Sequence, residues 1–497
     1  MESIVTGTEV DAGMPAASRL AAEVKRRREA AGLSQPQLAQ RIGYTRQYVS
    51  MAERTGNNVP SLDVIKAIDT ALDTDGELVR LREQAKLEQQ ARRRSERPSD
   101  SLQMSNSSWA ALTINDLPSN SLPAESVFTT PPGRFFMGAT IDTRCFPVEV
   151  DERVVGIVPP NFLHDPFIRR PRRGLAIGVS RQNDRVVLFG LDNRQARQRL
   201  MRAPFSTKLL MSHAYALDDL SMAIIWAVSN LDEALLDDDA ALTEAGDQLV
   251  AFERLSRSAA GKDIAADLAP VSRMWLGSNF CAQHVLRNSE QFTDPTLFWT
   301  REQRGEEAST WLLFAHKLAY LTETVQQQPK PNSGLSRTFC VPDTAVTESS
   351  RPEQSLLLLT AALMESFGIR VDVTTEPEYG SLEGFAFDGR RAVVANWVGT
   401  DGIWQVDITD HKPKIREFRD ALGYAQAHSA IKASSARERL RNFAEHLGLD
   451  WSWLTRRCSE LGEYGTAGLA QPRSRLLSLE GLDRACRFVG EGAGTGR

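Results

Sequence analysis

Apolar runs are short throughout the chain, and none approaches the ~20 residues that a membrane-spanning helix needs, which excludes a helical membrane protein. The N-terminus carries Glu2, Glu9 and Asp11 where a secretory signal would have a basic segment followed by an apolar one, so cytoplasmic residence is expected. Cysteine is scarce. Cys145, Cys281, Cys340, Cys458 and Cys486 are odd in number, scattered and without a CxxC pair, so neither a disulfide framework nor a cysteine-rich zinc module fits. There is no Walker loop, no GxSxG elbow and no HExxH, and the seven histidines lack an obvious acid or nucleophile partner. The expectation is of no enzyme, no catalytic residue, no metal and no cofactor.

With 497 residues, of which 41% are hydrophobic and 25% charged, most of the chain should fold, into about three domains. The net charge of −5 argues against nucleic-acid binding only as an average. Arg19 to Arg97 holds 16 basic and 11 acidic residues, which leaves the rest of the chain at −10. A basic head on an acidic body suits one end that holds phosphates. Arginine makes up 49 of the 59 basic residues, a bias that GC-rich coding also produces, so the pattern has to carry the argument.

Ser18 to Ala31 reads as an amphipathic helix, with Leu20 and Val24 inward and Lys25, Arg26, Arg27 and Arg28 largely outward, ended by Gly32. Ser34-Gln-Pro-Gln37 starts a second helix with a capping box, and Leu38, Ala39 and Ile42 form its buried face. Gly43 permits a sharp turn, after which Thr45 caps a third helix to about Arg54, with Val49 and Ala52 inward. Arg46, Gln47, Ser50 and Met51 are left facing outward, where a helix seated in the major groove meets base edges. A fourth helix spans Ser61 to Leu72, and Glu77 to Arg94 continues as a helix, more a packing element than a dimer seam.

These helices and the string LSQPQLAQRIGYTRQYVSMAER resemble the XRE (lambda repressor/Cro-like) helix-turn-helix family over about sixty residues. The resemblance implies that Gln35 contacts phosphate and braces the recognition helix, that Thr45 is a phosphate-binding cap, and that Arg46, Gln47 and Met51 read bases. It also implies that Glu53 is a structural acid. Thr55-Gly-Asn-Asn departs from the pattern, which leaves Arg54 and Asn57 in doubt as phosphate contacts, and Tyr48 is bulky for its position, there to meet thymine methyls or to pack on the fourth helix. With WLGSNFCAQH and FWTREQRGEEA in its middle, the whole chain is similar to long XRE-type regulators of actinobacteria.

The expected fold class is mainly α with α+β parts: an N-terminal all-α bundle, a central β-rich and helical region, and a C-terminal α+β unit with a helical end. The expected boundaries are a disordered N-terminus (1–17), the DNA-binding domain with its trailing helix (18–97), a linker (98–133) and a β-rich then helical regulatory or dimerisation domain (134–328). A second linker (329–353), an α+β domain (354–430), a helical segment (431–490) and a flexible tail (491–497) follow. Within these, Arg169-Arg-Pro-Arg-Arg173 reads as an exposed loop in preference to a minor-groove arm, and Asp232 to Asp239 as solvated surface. Asp388-Gly389 signals a two-residue hairpin, and Trp397 and Trp404, on neighbouring strands, cover a core or line a ligand pocket, with core preferred. Cys281 and His284, one helical turn apart, could join Glu302 or Glu307 around a metal, but that spacing is more often a core pattern.

The sequence thus predicts a transcription regulator that binds a double-stranded DNA operator as a homodimer, with an unidentified small-molecule or protein effector as a further partner and no membrane. The alternative is an enzyme or toxin-like effector fused to an autoregulatory DNA-binding domain.

Overall fold

A computed structural model describes residues 15–44, 46–53, 60, 62–85, 102–107, 110–114, 124–182, 185–203, 206–327 and 334–491. The chain divides into two compact units, Met1–Ser101 and Leu102–Arg497.

The first unit is helical. α1 (Ala16–Ala30), α2 (Gln35–Ile42), α3 (Arg46–Ala52), α4 (Leu62–Leu72) and α5 (residues 77–85) surround a core of Leu20, Val24, Leu38, Val49, Ile65, Ile68 and Leu78. The Ser34 hydroxyl accepts the Gln37 N–H and the Gln37 side chain accepts the Ser34 N–H, so two of the free donors at the start of α2 are used. Gly43 ends α2 at φ +71°, a left-handed conformation that suits glycine and turns the chain into α3. Asp69 on α4 caps α5 from a distance, accepting the Gly76 N–H at 2.8 Å and the Leu78 N–H at 3.0 Å.

The second unit is built on two sheets. The first contains β1 (Leu102–Ser107), β2 (Ala110–Ile114), β3 (Ala124–Thr129), β4 (Thr140–Val150), β5 (Val154–Ile157), β6 (Gly174–Gln182), β7 (Arg185–Asp192) and β8 (Lys208–Met211). Its main path runs β1-β2-β3-β4-β5-β8, and β6 lies parallel to β4 and pairs with β7 in antiparallel register. The short α6 (Pro166–Arg169) packs on α7 (Asn193–Arg202). The second sheet has the order β12-β11-β10-β13-β14-β15-β9. Its strands are β9 (Ser258–Ala260), β10 (Leu297–Thr300), β11 (Ser336–Cys340), β12 (Arg370–Thr374), β13 (Phe385–Phe387), β14 (Ala392–Asn396) and β15 (Trp404–Thr409). β10, β11 and β12 run parallel and the other pairs are antiparallel.

Helices fill the rest of this unit: α8 (Asp219–Asp237), α9 (Asp239–Leu249), α10 (Pro270–Ser289), α11 (Gly305–Leu313), α12 (Ala315–Gln326), α13 (Asp343–Glu348), α14 (Arg351–Ser366), α15 (Lys412–Ala427), α16 (Ala436–His446), α17 (Trp451–Tyr464) and α18 (Glu480–Gly490). α14 is apolar on every side through Leu356–Leu359 and Ala361–Met364, and such a helix must be buried. It packs against α8, α11, α16 and α18. Glycine makes the closest of these approaches possible, because a Cβ on Gly305 would lie 2.0 Å from the Glu353 carbonyl oxygen.

The architecture is the expected one, a helical head followed by mixed strand and helix and a helical end, but several local readings need correction. The segment read as a linker at 98–133 carries β1, β2 and β3, whose pairing with one another and with β4 is tertiary and leaves no period-2 signature in Ser- and Asn-rich sequence. The second supposed linker, 329–353, supplies β11, an interior strand, and also α13 and the start of α14. Because β9 and β10 join β11–β15 in one sheet, no boundary separates 134–328 from 354–430. The β13–β14 connection is a tight hairpin: beyond the Phe387–Ala392 pair the Asp388 N–H donates to the Arg391 carbonyl at 3.2 Å, which leaves Gly389 and Arg390 as the two turn residues, and the Asp388 carboxylate accepts the Arg390 and Arg391 N–H groups.

Burial corrects three further readings. Asp232 is not solvated surface: it is 3% exposed and binds Arg173 at 2.7 Å and the Arg473 N–H at 2.8 Å. Arg169, Arg170 and Arg172 are exposed, whereas Arg173 turns inward to Asp192 and Asp232. Trp404 is core, stacked on Phe280 at 4.0 Å, but Trp397 is half-buried and lines a cavity. The terminal segments 1–14 and 492–497 and the end of the helix begun at Glu77 lie outside the described residues.

Candidate nucleic-acid interface

The two-helix turn is held by one carboxylate. Glu53, directly after α3, receives Arg28 from α1 through Nε at 2.5 Å and Nη2 at 3.0 Å, and Gln35 from α2 through Nε2 at 2.9 Å. The Arg28 Nη1 also donates to the Leu33 carbonyl at 2.7 Å, in the loop between α1 and α2. Three helices therefore meet on a single acid. The side chains of Arg28 and Glu53 are 9% and 4% exposed, and the hydrogen bond to Glu53 raises the Arg28 pKa above its ordinary value.

This overturns one reading of α1. Arg28 does not belong to an outward basic face, because its guanidinium is buried against α3. Arg26 and Arg27 are engaged with Glu23, and Arg27 also reaches Glu77 on α5. The signal for this was available in principle: Arg28 follows Leu20 and Val24 at helical spacing, on the same face.

With the clamp closed, Val49 and Ala52 are buried and Arg46 and Ser50 are exposed on the opposite side of α3. Tyr48 meets Tyr44 edge-on, ring centroids 5.6 Å apart, and is half-buried. Gln35 is half-buried at the start of α2, its amide nitrogen on Glu53. Gln47 and Met51 fall within α3, but their side chains lie outside the described residues, as do Thr45, Arg54 and Asn57 altogether.

Residues 19–81 match the family model of a helix-turn-helix domain. The matched segment runs from α1 into α5 and includes the whole Arg28–Glu53–Gln35 clamp. No curated protein and no solved structure is found to match the chain. A helix-turn-helix domain is an architecture for presenting a helix to DNA, which makes DNA the partner this end of the chain is shaped for.

Three of the four candidate metal ligands, Cys281, Glu302 and Glu307, are engaged with other groups, whereas neither ring nitrogen of His284 has a hydrogen-bond partner among the described residues. The Cys281 thiol donates to the Asn396 carbonyl at 3.4 Å, and burial pushes its pKa up. His284 is buried, and desolvation brings its pKa down to about 4. Glu302 lies 3.5 Å from Lys317, and Glu307 lies 3.0 Å from Arg134. Among the described residues no three His, Cys, Asp or Glu side chains come together as a metal site. Among the same residues no helix is long and apolar enough to cross a membrane.

Proposed function

We propose that the protein is a sequence-specific DNA-binding transcription regulator of the XRE (Cro-like) type, with the helix from Thr45 to Arg54 seated in the major groove. The observation that carries this reading is the Glu53 clamp, which fixes α3 against α1 and α2 while Arg46 and Ser50 stay exposed. Arg46 is suited to bidentate contact with guanine and Gln47 to adenine, with Ser50 and Met51 completing the base-reading set. Gln35 and Thr45 hold phosphates, and Tyr48 is an additional contact. The second unit supplies dimerisation or effector sensing and no catalytic step, so the protein acts in the cytoplasm as a regulator rather than an enzyme. Two recognition helices in a dimer would lie ~34 Å apart, which calls for an inverted-repeat operator.

The test is to sequence the genomic fragments retained by the full-length protein and by its Arg46→Ala/Gln47→Ala variant. Discrete peaks that share an inverted repeat and vanish in the variant are expected. Retention without sequence enrichment, or peaks indifferent to the double substitution, would overturn the reading.

A further inference from the structure

Arg337 lies on β11, and only 4% of its surface is exposed. The rings of Phe298 and Trp311 sit 4.6 and 4.5 Å from its guanidinium carbon, and the Tyr320 hydroxyl lies beside the same group. Its Nε and Nη2 find no accepting atom among the described residues. These two N–H groups share one edge of the guanidinium, the edge that takes a carboxylate through two parallel hydrogen bonds. The same unit shows that edge filled elsewhere: Arg439, 7% exposed, donates Nε and Nη2 to the two oxygens of Glu365, each at 2.7 Å. A buried guanidinium edge without an acceptor is costly, so Arg337 calls for an acid that the described residues do not provide.

The surroundings suit such an acid. Arg337 lines a cavity of about 70 Å³ between α10, α11, α12 and the second sheet. Arg301, Lys317 and Arg337 line it with Glu302 as the sole carboxylate, three cations to one anion. Glu302 is already committed: it accepts the Trp311 indole N–H at 2.8 Å and the Thr300 hydroxyl, and faces Lys317. Lys317 is held between Trp311 and Trp397, 3.9 and 4.1 Å from their ring centroids. Asn396, 2% exposed, accepts the Gly384 N–H at 2.5 Å, which fixes the orientation of its amide, and its Nδ2 has no acceptor either. Half-buried Arg301 and Trp397 mark the rim.

We propose that this cavity binds a small organic carboxylate. The Arg337 edge takes the acid group, Asn396 Nδ2 is a further donor, and Lys317 and Arg301 supply the remaining positive charge. The apolar remainder lies against Trp311, Trp397, Phe298 and Val285. One water needs only ~15 Å³, so the cavity admits an acid head and a few carbons but not a nucleotide. The site lies within the second unit and its readout does not involve DNA, so it stands or falls apart from the DNA reading.

The test follows thermal unfolding and tryptophan fluorescence of the full-length protein as sodium acetate, sodium phosphate or sodium chloride is added at matched ionic strength. Acetate should give a saturating rise in Tm that chloride does not reproduce. Arg337→Lys, which keeps the charge but loses the edge, and Arg337→Gln should both lose that response. Arg301→Gln, a substitution on the rim that spares the core, should weaken acetate several-fold. An acetate response no different from that of chloride overturns the proposal, as does one that survives the Arg337 substitutions or is unchanged in Arg301→Gln. Saturation by phosphate but not by acetate overturns the carboxylate assignment.

Discussion

Arg28 grips Glu53 across the helix-turn-helix, Nε and Nη2 donating to separate carboxylate oxygens at 2.5 and 3.0 Å. Because the pair is buried, removing one partner strands the other, a loss of ~3 kcal/mol or more. Glu53→Ala should therefore loosen α3, with amide hydrogen exchange in α2 and α3 of the full-length protein faster by ~100-fold, since each 1.4 kcal/mol is about tenfold. Exchange in the second unit, which does not depend on this acid, should not change. Unaltered exchange in α3 would show that apolar packing alone holds the helix.

Arg46 and Gln35 should fail in different ways. Arg46 is exposed on α3 with no part in the clamp, so Arg46→Ala should cost about 1 to 3 kcal/mol at the preferred DNA sequence and relax the preference at one base pair. Gln35 holds Glu53 as well as standing at the start of α2, so Gln35→Ala should weaken binding evenly across sequences. Binding titrations against the preferred and a scrambled duplex check both. Equal losses on both duplexes for both variants would sink the division of roles.

Asp69 makes the first unit sensitive to acid. Burial pushes its carboxyl up, but hydrogen bonds from the Thr74 hydroxyl and the Gly76 and Leu78 N–H groups outweigh burial and hold it below the usual aspartate value. A depressed native pKa stabilises the fold above the unfolded value of ~3.9, and that stabilisation disappears as pH falls through the native value. Asp69→Asn should cost ~1 kcal/mol at neutral pH, as the loss of a cap does, and the difference should vanish in strong acid. Exchange rates in α5, measured against pH for both proteins, report it.

How much of this was legible depended on sequence separation. The capping box of Ser34 and Gln37 and the left-handed Gly43 are local, and a few neighbouring residues specify them. The same holds for the capping box of α14, Ser350 with Glu353, although it lay in a stretch read as a linker. Arg28 is an intermediate case: its register on α1 placed it inward, but its charge argued for solvent, and only Glu53, 25 residues away, resolves the conflict. Asp232 was unreadable because its partners, Arg173 and Arg473, are 59 and 241 residues distant. Arg337 was hidden in the same way: the strand that carries it is five residues long and buried throughout, so it has no alternation to detect. The local hints at the cavity were Cys281, Glu302 and Trp397, which all line it.

The second unit should respond to pH in the opposite sense to Asp69. Glu307, 3% exposed, has its pKa raised to about 7, burial outweighing the attraction of Arg134 and the Gln303 N–H, with Glu302 and Glu306 adding repulsion. An unfolded glutamate titrates near 4.3, so between ~4.3 and about 7 the native state holds a proton that the unfolded state has lost. Stability must fall as pH rises through that window, by on the order of 3 kcal/mol in total from this group. Glu307→Gln keeps the shape and one acceptor for the Gln303 N–H but removes the titration. The variant should match the native protein near pH 4.5 and exceed it at pH 8, as read from denaturant midpoints of the second unit. A native protein whose midpoint does not decline across this interval relative to Glu307→Gln would mean that Arg134 keeps the acid ionised, and that the buried pair contributes as a salt bridge.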